Sequence, residues 1–327
     1  MSKYLKKIII KKNSKIKLFT PGPASLLEEN LNGLEPCFGR GDKNYENIEN
    51  KVLKGILNIT GHQKIARLQG SASMALEVMI LNFVYGNILI IKTGVYSDRL
   101  NYMCKTAKKK YNYIKKIDYI DSKFYKEINK KYDWILACPV ETSIGYKIPI
   151  FELYKLKKRC RSKLALDATA SIGLEEDHNL SDVAGFSSCK GLFGLTGGAF
   201  VTFNKQFQNK IDEFNFDMNS HLNKKMTGPY HAICSLKNVI NDYASYSYAV
   251  KINKEKFCKI MSNYLLYDKI NQPKLCTLIN KKVKKKSNSV VLYKSRADIT
   301  GSVVCHLGEV HLKRKAKGLI LNSIKVN

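Results

Sequence analysis

Residues able to bind an anion and stack on a ring follow two of the apolar segments of this 327-residue chain. The turn 70-GSAS-73 opens a helical pattern, so the N–H groups of its first turn and the hydroxyls of Ser71 and Ser73 can bind a phosphate. Tyr96, in 93-TGVYSDR-99 after the next apolar segment, is placed to stack on a flat ring. Ordinary helix capping by the serines and packing of the tyrosine are the alternatives.

An acid and a lysine follow two further apolar segments. Asp167 lies at the end of 163-KLALDA-168, where a carboxylate is costly unless it meets a cation or a hydrogen-bond donor. Lys190 follows 182-DVAGFS-187 and precedes a glycine-rich turn, and a partly desolvated lysine can act as a nucleophile. The alternatives are a helix cap or a structural ion pair for the acid, and an unremarkable surface position for the lysine.

Together, these four features are what pyridoxal phosphate requires. A lysine forms a Schiff base with this cofactor, an acid keeps its pyridine nitrogen protonated, and a helix N-terminus binds its phosphate. In open α/β sheets, ligands bind at the carboxyl ends of the strands. The 23 residues from Asp167 to Lys190 match one βαβ step, which predicts that the two lie at neighbouring strand ends.

The elements that must position these residues alternate through the first two thirds of the chain. Short apolar runs predict six strands, and longer amphipathic runs between them predict helices. The predicted strands are 64–69, 87–92, 133–138, 163–168, 182–187 and 198–203, and the predicted helices are 73–85, 97–109 and 151–162. This alternation predicts an α/β fold with a mostly parallel, doubly wound sheet.

The pattern changes after about residue 225. A long helical stretch over 229–266 is followed by strand-like pieces at 275–279, 289–293 and 302–307 and by a helical segment at 309–321. These features predict a small α+β C-terminal domain. The predicted organisation is a basic N-terminal segment at 1–17, a large domain at 18–265 that includes an interdomain helix, and the small domain at 266–327.

The charge of the chain is strongly positive, at +29 from 56 basic and 27 acidic residues. A polyanion-binding surface is one explanation, but only seven of the basic residues are arginines, and arginine is the preferred residue for bidentate phosphate contacts. The basic runs 105-KTAKKK-110 and 281-KKVKKK-286 contain no arginine. The composition therefore favours a lysine-coated surface over a nucleic-acid interface.

The cysteines and histidines show no metal-binding pattern. Nine scattered cysteines without a CxxC pair, and six histidines without ligand spacing, predict reduced thiols and no metal site. The apolar run Ile8–Ile10 is too short for a signal peptide, and no stretch approaches the roughly 18 apolar residues of a membrane span. We therefore expect a cytoplasmic protein without a membrane partner.

Eight segments carry a resemblance to a known family. They are 19-FTPGPASL-26, 39-GRGDKNYENIE-49, 69-QGSASMALEVMI-80, 93-TGVYSDR-99, 141-ETSIG-145, 166-LDATASIG-173, 187-SSCKGLFGLTGGAFV-201 and 227-TGPYHAICSL-236. In this order they resemble the class V aminotransferases of pyridoxal-phosphate fold type I, most closely the 2-aminoethylphosphonate–pyruvate transaminases. The resemblance covers about residues 18–240.

The resemblance implies a role for each matching residue. Lys190 matches the Schiff-base lysine and general acid–base, and Asp167 the partner of the pyridine nitrogen. The other implied cofactor contacts are Ser71, Ala72 and Ser73 at the phosphate, Tyr96 and Thr169 on the two ring faces, Thr142 near the ring oxygen, and Ser187 beside the lysine turn. Thr227 matches a residue that reaches the phosphate of a neighbouring subunit, which implies a homodimer with shared sites.

The substrate half departs from the family pattern. Val303 stands where the family has an arginine that clamps the substrate carboxylate, so Arg296 and Arg40 become the candidates for an anionic group, whereas Lys294 lacks bidentate geometry. The segment 281–287 is shorter than the helix usually found there.

Several activities therefore remain open. The resemblance implies amino transfer from a small anionic amine, such as 2-aminoethylphosphonate, to pyruvate or a similar oxo acid. Alternatives are an alanine–glyoxylate or serine–pyruvate aminotransferase, a lyase or decarboxylase of the same fold, and a non-catalytic pyridoxal-phosphate-fold protein.

Overall fold

The computed structural model describes residues 3–23, 26–34, 39, 41–312 and 319–327. Its strands include all six predicted from the sequence, with ends shifted by at most one residue. The strands are β1 Lys17–Phe19, β2 Lys64–Gln69, β3 Gly86–Lys92, β4 Ile114–Asp121, β5 Trp134–Ala137, β6 Val140–Glu141, β7 Tyr146–Lys147, β8 Lys163–Asp167, β9 Val183–Ser187, β10 Gly198–Phe203, β11 Cys276–Ile279, β12 Val283–Lys285, β13 Val290–Leu292, β14 Ser302–Cys305 and β15 Ile324–Val326.

The helices also follow the sequence pattern closely. They are α1 Lys3–Lys15, α2 Glu28–Asn32, α3 Lys43–Thr60, α4 Ala72–Phe83, α5 Val95–Lys110, α6 Ile150–Arg159, α7 Met218–Leu222, α8 Tyr230–Asn241, α9 Tyr243–Ile260, α10 Leu307–Leu312 and α11 Leu319–Ser323. The predicted single helix over 229–266 is wrong in two respects, because Asp242 separates α8 from α9 and because α9 ends at Ile260.

Seven strands form the central sheet, in the order β2-β10-β9-β8-β5-β3-β4. Neighbouring strands are parallel except around β10, which is antiparallel to both β2 and β9. Because β2 and β9 both oppose β10, they run in the same direction, and the carboxyl ends of β2, β3, β5, β8 and β9 meet at one edge. The predicted mostly parallel α/β sheet is confirmed.

Both faces of this sheet are covered by helices. Along β3, Leu89 and Ile91 belong to one buried apolar cluster, together with Val52 and Ile56 of α3. Ile88 and Ile90 belong to another cluster, which includes Leu76 of α4. Alternate side chains of a strand point to opposite faces, so a run of consecutive apolar residues marks a strand that is buried on both sides.

The C-terminal strands pair in twos rather than joining the central sheet. β11 pairs with β14, β12 with β15, and β13 with β1. Val303 of β14 lies opposite Leu278 of β11, is only 5% exposed and packs in an apolar cluster with Tyr246 of α9. The position of the family's arginine is therefore a core position in this chain, and the shortened segment at 281–287 contains β12.

Three further observations on the described residues concern membrane spans, metal ligands and the cysteines. None of the described helices is both long and apolar enough to cross a membrane. No group of potential metal ligands occurs within the described ranges. The eight cysteines that the structure describes are all free thiols.

A buried histidine stabilises the crossover between β8 and β9. Nε2 of His178 lies 3.0 Å from the Ser171 hydroxyl, and burial lowers the pKa of His178 to about 3. In the unfolded chain this imidazole titrates near its ordinary pKa of about 6.5, so the unfolded state takes up the proton first as the pH falls. The stability contributed by neutral His178 is complete above about pH 6.5 and is lost as the pH falls toward 3.

We expect His178→Gln to reduce the acid sensitivity of folding. Each pH unit below about 6.5 costs the wild type about 1.4 kcal/mol through this group, which amounts to about 2 kcal/mol at pH 5. Urea unfolding of both proteins at pH 7.5 and pH 5 measures the difference, and His231→Gln, on an exposed position of α8, is the control. An equal loss of stability in the wild type and His178→Gln would show that this histidine is not responsible.

Candidate active site

One cavity of about 530 Å³ opens at the carboxyl edge of the central sheet. This volume is typical of small-molecule sites. Most of the residues predicted for the site line it, namely Ser71, Ala72, Ser73, Tyr96, Asp167, Thr169, Ser187, Lys190 and Arg296. The register of the sheet explains the grouping, because β8 and β9 are hydrogen-bonded neighbours and Asp167 pairs with Gly185. Their individual roles remain predictions.

Three other candidates in the described part of the chain do not line the cavity. Thr142 is fully buried and does not line the cavity, and its hydroxyl has no partner among the described residues. Thr227 and Lys294 are exposed and do not line the cavity. Arg40 lies outside the described residues.

The predicted phosphate turn begins helix α4. Ser71 is the N-cap residue, with extended backbone angles, but its side chain makes no capping hydrogen bond. Ordinary side-chain capping therefore does not explain this serine. The first N–H groups of a helix have no intrahelical acceptor, so the turn presents donors to the cavity beside the hydroxyls of Ser71 and Ser73.

Asp167 is almost completely buried and meets both donors and a cation. Its Oδ1 accepts the backbone N–H of Thr169 at 3.1 Å, and its Oδ2 accepts Nη2 of Arg99 at 2.9 Å. A second guanidinium nitrogen of Arg99 donates to the Ser73 hydroxyl at 3.2 Å. The ion pair considered as an alternative for Asp167 is therefore present, and it lies inside the cavity.

Arg99 is a site residue for which the sequence analysis assigned no role. It lies three residues after Tyr96 on α5, so both side chains project from the same side of the helix. The guanidinium carbon is 5.1 Å from the centre of the Tyr96 ring. Its spacing from Tyr96 and its rarity, as one of seven arginines in a lysine-rich chain, are the signals that identify it in the sequence.

A buried carboxylate fixes the start of α5. Glu141 Oε2 accepts the backbone N–H of Tyr96 at 3.0 Å, and Oε1 accepts the Ser143 hydroxyl at 2.5 Å. Burial raises the pKa of Glu141. Gly94 lies against this side chain, since a Cβ atom there would be 2.9 Å from Cγ of Glu141. The position of Tyr96 therefore depends on a tightly packed acidic residue below it.

Lys190 projects into the cavity from the turn after β9. Its Nζ lies 5.4 Å from the centre of the Tyr96 ring and has no carboxylate partner in the part of the chain that the structure describes. Gly22 packs directly on this lysine with φ of +118°. A Cβ atom at Gly22 would lie 2.7 Å from Cγ of Lys190 and 2.8 Å from the carbonyl oxygen of Cys189.

The loops that hold Asp167 and Lys190 are locked to the start of α9. The Tyr243 hydroxyl donates to the carbonyl of Gly191 at 3.0 Å. A Cβ atom at Gly173 would lie 1.5 Å from that hydroxyl oxygen, and one at Gly191 would lie 2.0 Å from the carbonyl oxygen of Ile172. Only glycine fits between the loops at these two positions.

Tyr293 is a second cavity residue that the sequence analysis missed. It comes from the C-terminal region, close in sequence to Arg296, and both residues line the cavity. Burial raises the pKa of its phenol, and the neighbouring Tyr96 acts in the same direction. The C-terminal region thus supplies one wall of the site.

The residues present fit pyridoxal phosphate. Donors for a phosphate lie in the 71–73 turn, an amine without a carboxylate partner lies beside Tyr96, and a buried carboxylate lies at the end of β8. The hydroxyl of Thr169 is buried at the cavity without a partner in the described ranges, as expected of a site that a polar ligand completes.

Sequence comparisons with known proteins match this chain to transaminases. No family model matches the chain. It is 28% identical over 213 residues to a bifunctional phosphonoacetaldehyde hydrolase/aminoethylphosphonate transaminase of Clostridioides difficile, a match that covers 58% of this chain but about a third (32%) of that relative. It is 23% identical over 251 residues to a 2-aminoethylphosphonate–pyruvate transaminase of Pseudomonas aeruginosa, covering 69% of this chain and 67% of the relative.

Solved structures show the same fold at low identity. A phosphoserine aminotransferase of Cytophaga hutchinsonii has a TM-score of 0.76 at 14% identity, covering 92% of this chain and 96% of its own. An alanine–glyoxylate aminotransferase of Nostoc sp. has a TM-score of 0.75 at 16% identity, covering 92% and 93%. The comparisons confirm the resemblance to the class V aminotransferases, and the chain has the fold of the type I pyridoxal-phosphate aminotransferases.

Proposed function

We propose that this protein is a pyridoxal-phosphate-dependent aminotransferase. It transfers the amino group of a small amine with an anionic group, such as 2-aminoethylphosphonate, to pyruvate or a similar oxo acid. The observation that carries the proposal is that one cavity holds Lys190, Asp167 and the 71–73 turn. The names of the relatives support the class of donor. We further propose that it acts in the cytoplasm as a homodimer, in which exposed Thr227 contributes to the partner's site.

Each cavity residue then has a defined task. Bound pyridoxal phosphate supplies a conjugated cationic ring that takes up the electron pair left on the substrate carbon. Lys190 Nζ would hold the cofactor and, as a free amine, would move a proton to or from the substrate carbon. The Asp167 carboxylate would hold the pyridine nitrogen in its protonated form. The N–H groups and hydroxyls of the 71–73 turn bind the phosphate.

Arg99 orients two of these groups, Asp167 and Ser73. Its guanidinium holds the Asp167 carboxylate from one side, so the carboxylate keeps one orientation when the pyridine nitrogen approaches. The same guanidinium donates to Ser73, which lies in the phosphate turn. Arg99 therefore fixes the distance between the group that binds the pyridine nitrogen and the group that binds the phosphate.

Arg296 is the cavity-lining cation best placed for the substrate's anionic group. It is exposed, lies near Tyr293 and comes from the C-terminal region, as the family's clamp does. Val303 cannot take this part, because valine binds no anion and its side chain is buried among apolar residues. Phosphonate and carboxylate are both suited to bidentate contact with arginine.

We expect 2-aminoethylphosphonate to convert the cofactor of the wild-type protein to its amine form. Mixing each donor with the cofactor-loaded protein in the absence of oxo acid, and following the visible absorbance of the lysine-bound cofactor, gives the result directly. Lys190→Ala should abolish both the absorbance and the conversion. Conversion by alanine or serine alone would replace the proposed donor, and cofactor binding without conversion by any donor would reject the aminotransferase assignment.

Arg296→Ala tests the substrate contact separately. We expect KM for 2-aminoethylphosphonate to rise by about 10- to 100-fold, since a hydrogen bond to a charged group is worth about 1.5–3 kcal/mol. Lys294→Ala, exposed two residues away and not lining the cavity, is the matched control. An unchanged KM in Arg296→Ala would remove this residue from the site.

We expect Arg99→Met to weaken the binding of pyridoxal phosphate by about 10- to 100-fold. The substitution leaves the buried Asp167 carboxylate without its cation, and charge-assisted hydrogen bonds contribute about 1.5–3 kcal/mol each. Equilibrium titration with the cofactor gives the affinity, and Arg161→Met, at an exposed position after α6, is the control. An affinity equal to that of the wild type would contradict the positioning role.

Gly22→Ala should reduce cofactor affinity at least about tenfold, because L-residues avoid positive φ and the new methyl group overlaps Lys190. The titration is the same, and Gly39→Ala provides the comparison, since a Cβ atom there meets no atom within 4 Å. Equal losses in both variants would mean that the contact with Lys190 is unimportant.

A further inference from the structure

A second cavity lies outside the candidate active site. It has a volume of about 540 Å³ and is bounded by α9, by the segment 265–274 and by β7. Six lysines line it, namely Lys147, Lys251, Lys254, Lys259, Lys269 and Lys274. None of these residues has a part in the proposed amino transfer.

The charges around this cavity do not balance. Lys147 pairs with Glu175 at 2.9 Å and Lys274 with Glu176 at 3.1 Å. Neither glutamate is among the lining residues, and Glu255 is the one carboxylate in the described lining. The other four lysines have no ion pair among the described residues. Six ammonium groups therefore face three carboxylates, which leaves an excess positive charge inside a concave surface, where the field is concentrated.

Lys254 distinguishes this cavity from an ordinary lysine-rich surface. It is the one lysine classed as buried in the described part of the chain, at 9% exposure. Its Nζ donates to the backbone carbonyl of Gln272 at 2.9 Å, and burial lowers its pKa. A buried ammonium is costly without a paired anion. A negative ligand in the cavity would provide that pairing.

Helix α9 contributes several of these charges. Lys251, Lys254 and Lys259 of α9 all line the cavity, and Lys251 and Lys254, three residues apart, are like charges on neighbouring positions of the helix surface, which repel one another. The lining also includes Leu265 and the ring of Tyr267, which packs on Tyr146 with ring centres 5.1 Å apart. The cavity thus combines ammonium groups with apolar surface.

We propose that this cavity binds a small molecule that carries two or more phosphate groups. Lysines bind phosphate as point charges, and several of them match the charge of a diphosphate better than that of a single carboxylate. The cavity has the volume of a small-molecule site, which favours such a ligand over nucleic acid. Leu265 and Tyr267 leave space for an organic part. The proposal does not rest on the proposed aminotransferase activity.

Calorimetric titration of the cofactor-loaded protein tests the site. Inorganic pyrophosphate and ATP are the probes, inorganic phosphate tests the need for two phosphates, and a short DNA duplex tests the nucleic-acid alternative. We expect saturable binding of pyrophosphate or ATP, and tighter binding of ATP would indicate an organic phosphate as the ligand. We expect inorganic phosphate to bind at least tenfold more weakly.

Lys254→Met should weaken pyrophosphate binding at least tenfold while the unliganded protein keeps its Tm, because methionine retains the length of the side chain. Should this variant fail to fold, the exposed pair Lys251→Met/Lys259→Met replaces it with the same expected loss. Lys105→Met, at an exposed position of α5, should bind as the wild type does. Absence of pyrophosphate and ATP binding, binding unaffected by the cavity variants, or tighter binding of the DNA duplex would each overturn the proposal.

Discussion

The buried carboxylate of Asp167 is the constraint around which the cavity is organised. A carboxylate at the end of an apolar strand destabilises the fold unless it is paired, and here Arg99 and the Thr169 N–H satisfy it. Because Arg99 comes from α5 and also contacts Ser73 at the start of α4, pairing the acid brings two helix N-termini together. The 71–73 turn and Tyr96 thereby take fixed positions relative to Asp167.

The placement of β10 completes this arrangement. Since β10 runs antiparallel between β2 and β9, the turn that leaves β9 and the turn that leaves β2 open on the same side of the sheet. Lys190 in the first turn and Ser71 in the second therefore line the same cavity. The fold brings together residues about 120 positions apart without requiring them to contact each other.

The sequence predicted which strand-end residues line one cavity because its signals are local. Consecutive apolar residues identified strands that are buried on both faces, and the residues after them fell at the carboxyl edge. Strand β4 was missed because it is only partly buried at the sheet edge, and its charged residues obscure the alternation. The partner of Asp167 could not be predicted, since it depends on the sheet order that places α5 near the end of β8.

The part of the cavity proposed to bind substrate was harder to predict, because its residues are placed by contacts between distant segments of the chain. Val303 was correctly identified as unable to bind an anion, but only the pairing of β14 with β11 shows that its position belongs to an apolar core. Tyr293 gave no sequence signal, because a tyrosine at the end of a short strand commonly only packs. Gly22 lies in the family-like segment 19-FTPGPASL-26. Its contact with Lys190 was not predictable, because it joins segments far apart in the chain.

The lock between Tyr243 and the two glycine-containing loops has an evolutionary consequence. Any side chain at Gly173 occupies the position of the tyrosine hydroxyl, and any side chain at Gly191 occupies that of a backbone oxygen. A larger residue at 173 therefore requires that Tyr243 be replaced by a smaller one, and it must also tolerate the φ of +70° at this position. Descendants of this chain should change positions 243 and 173 as a pair, with position 243 changing first. The sequence history of residue 243 therefore constrains that of residue 173.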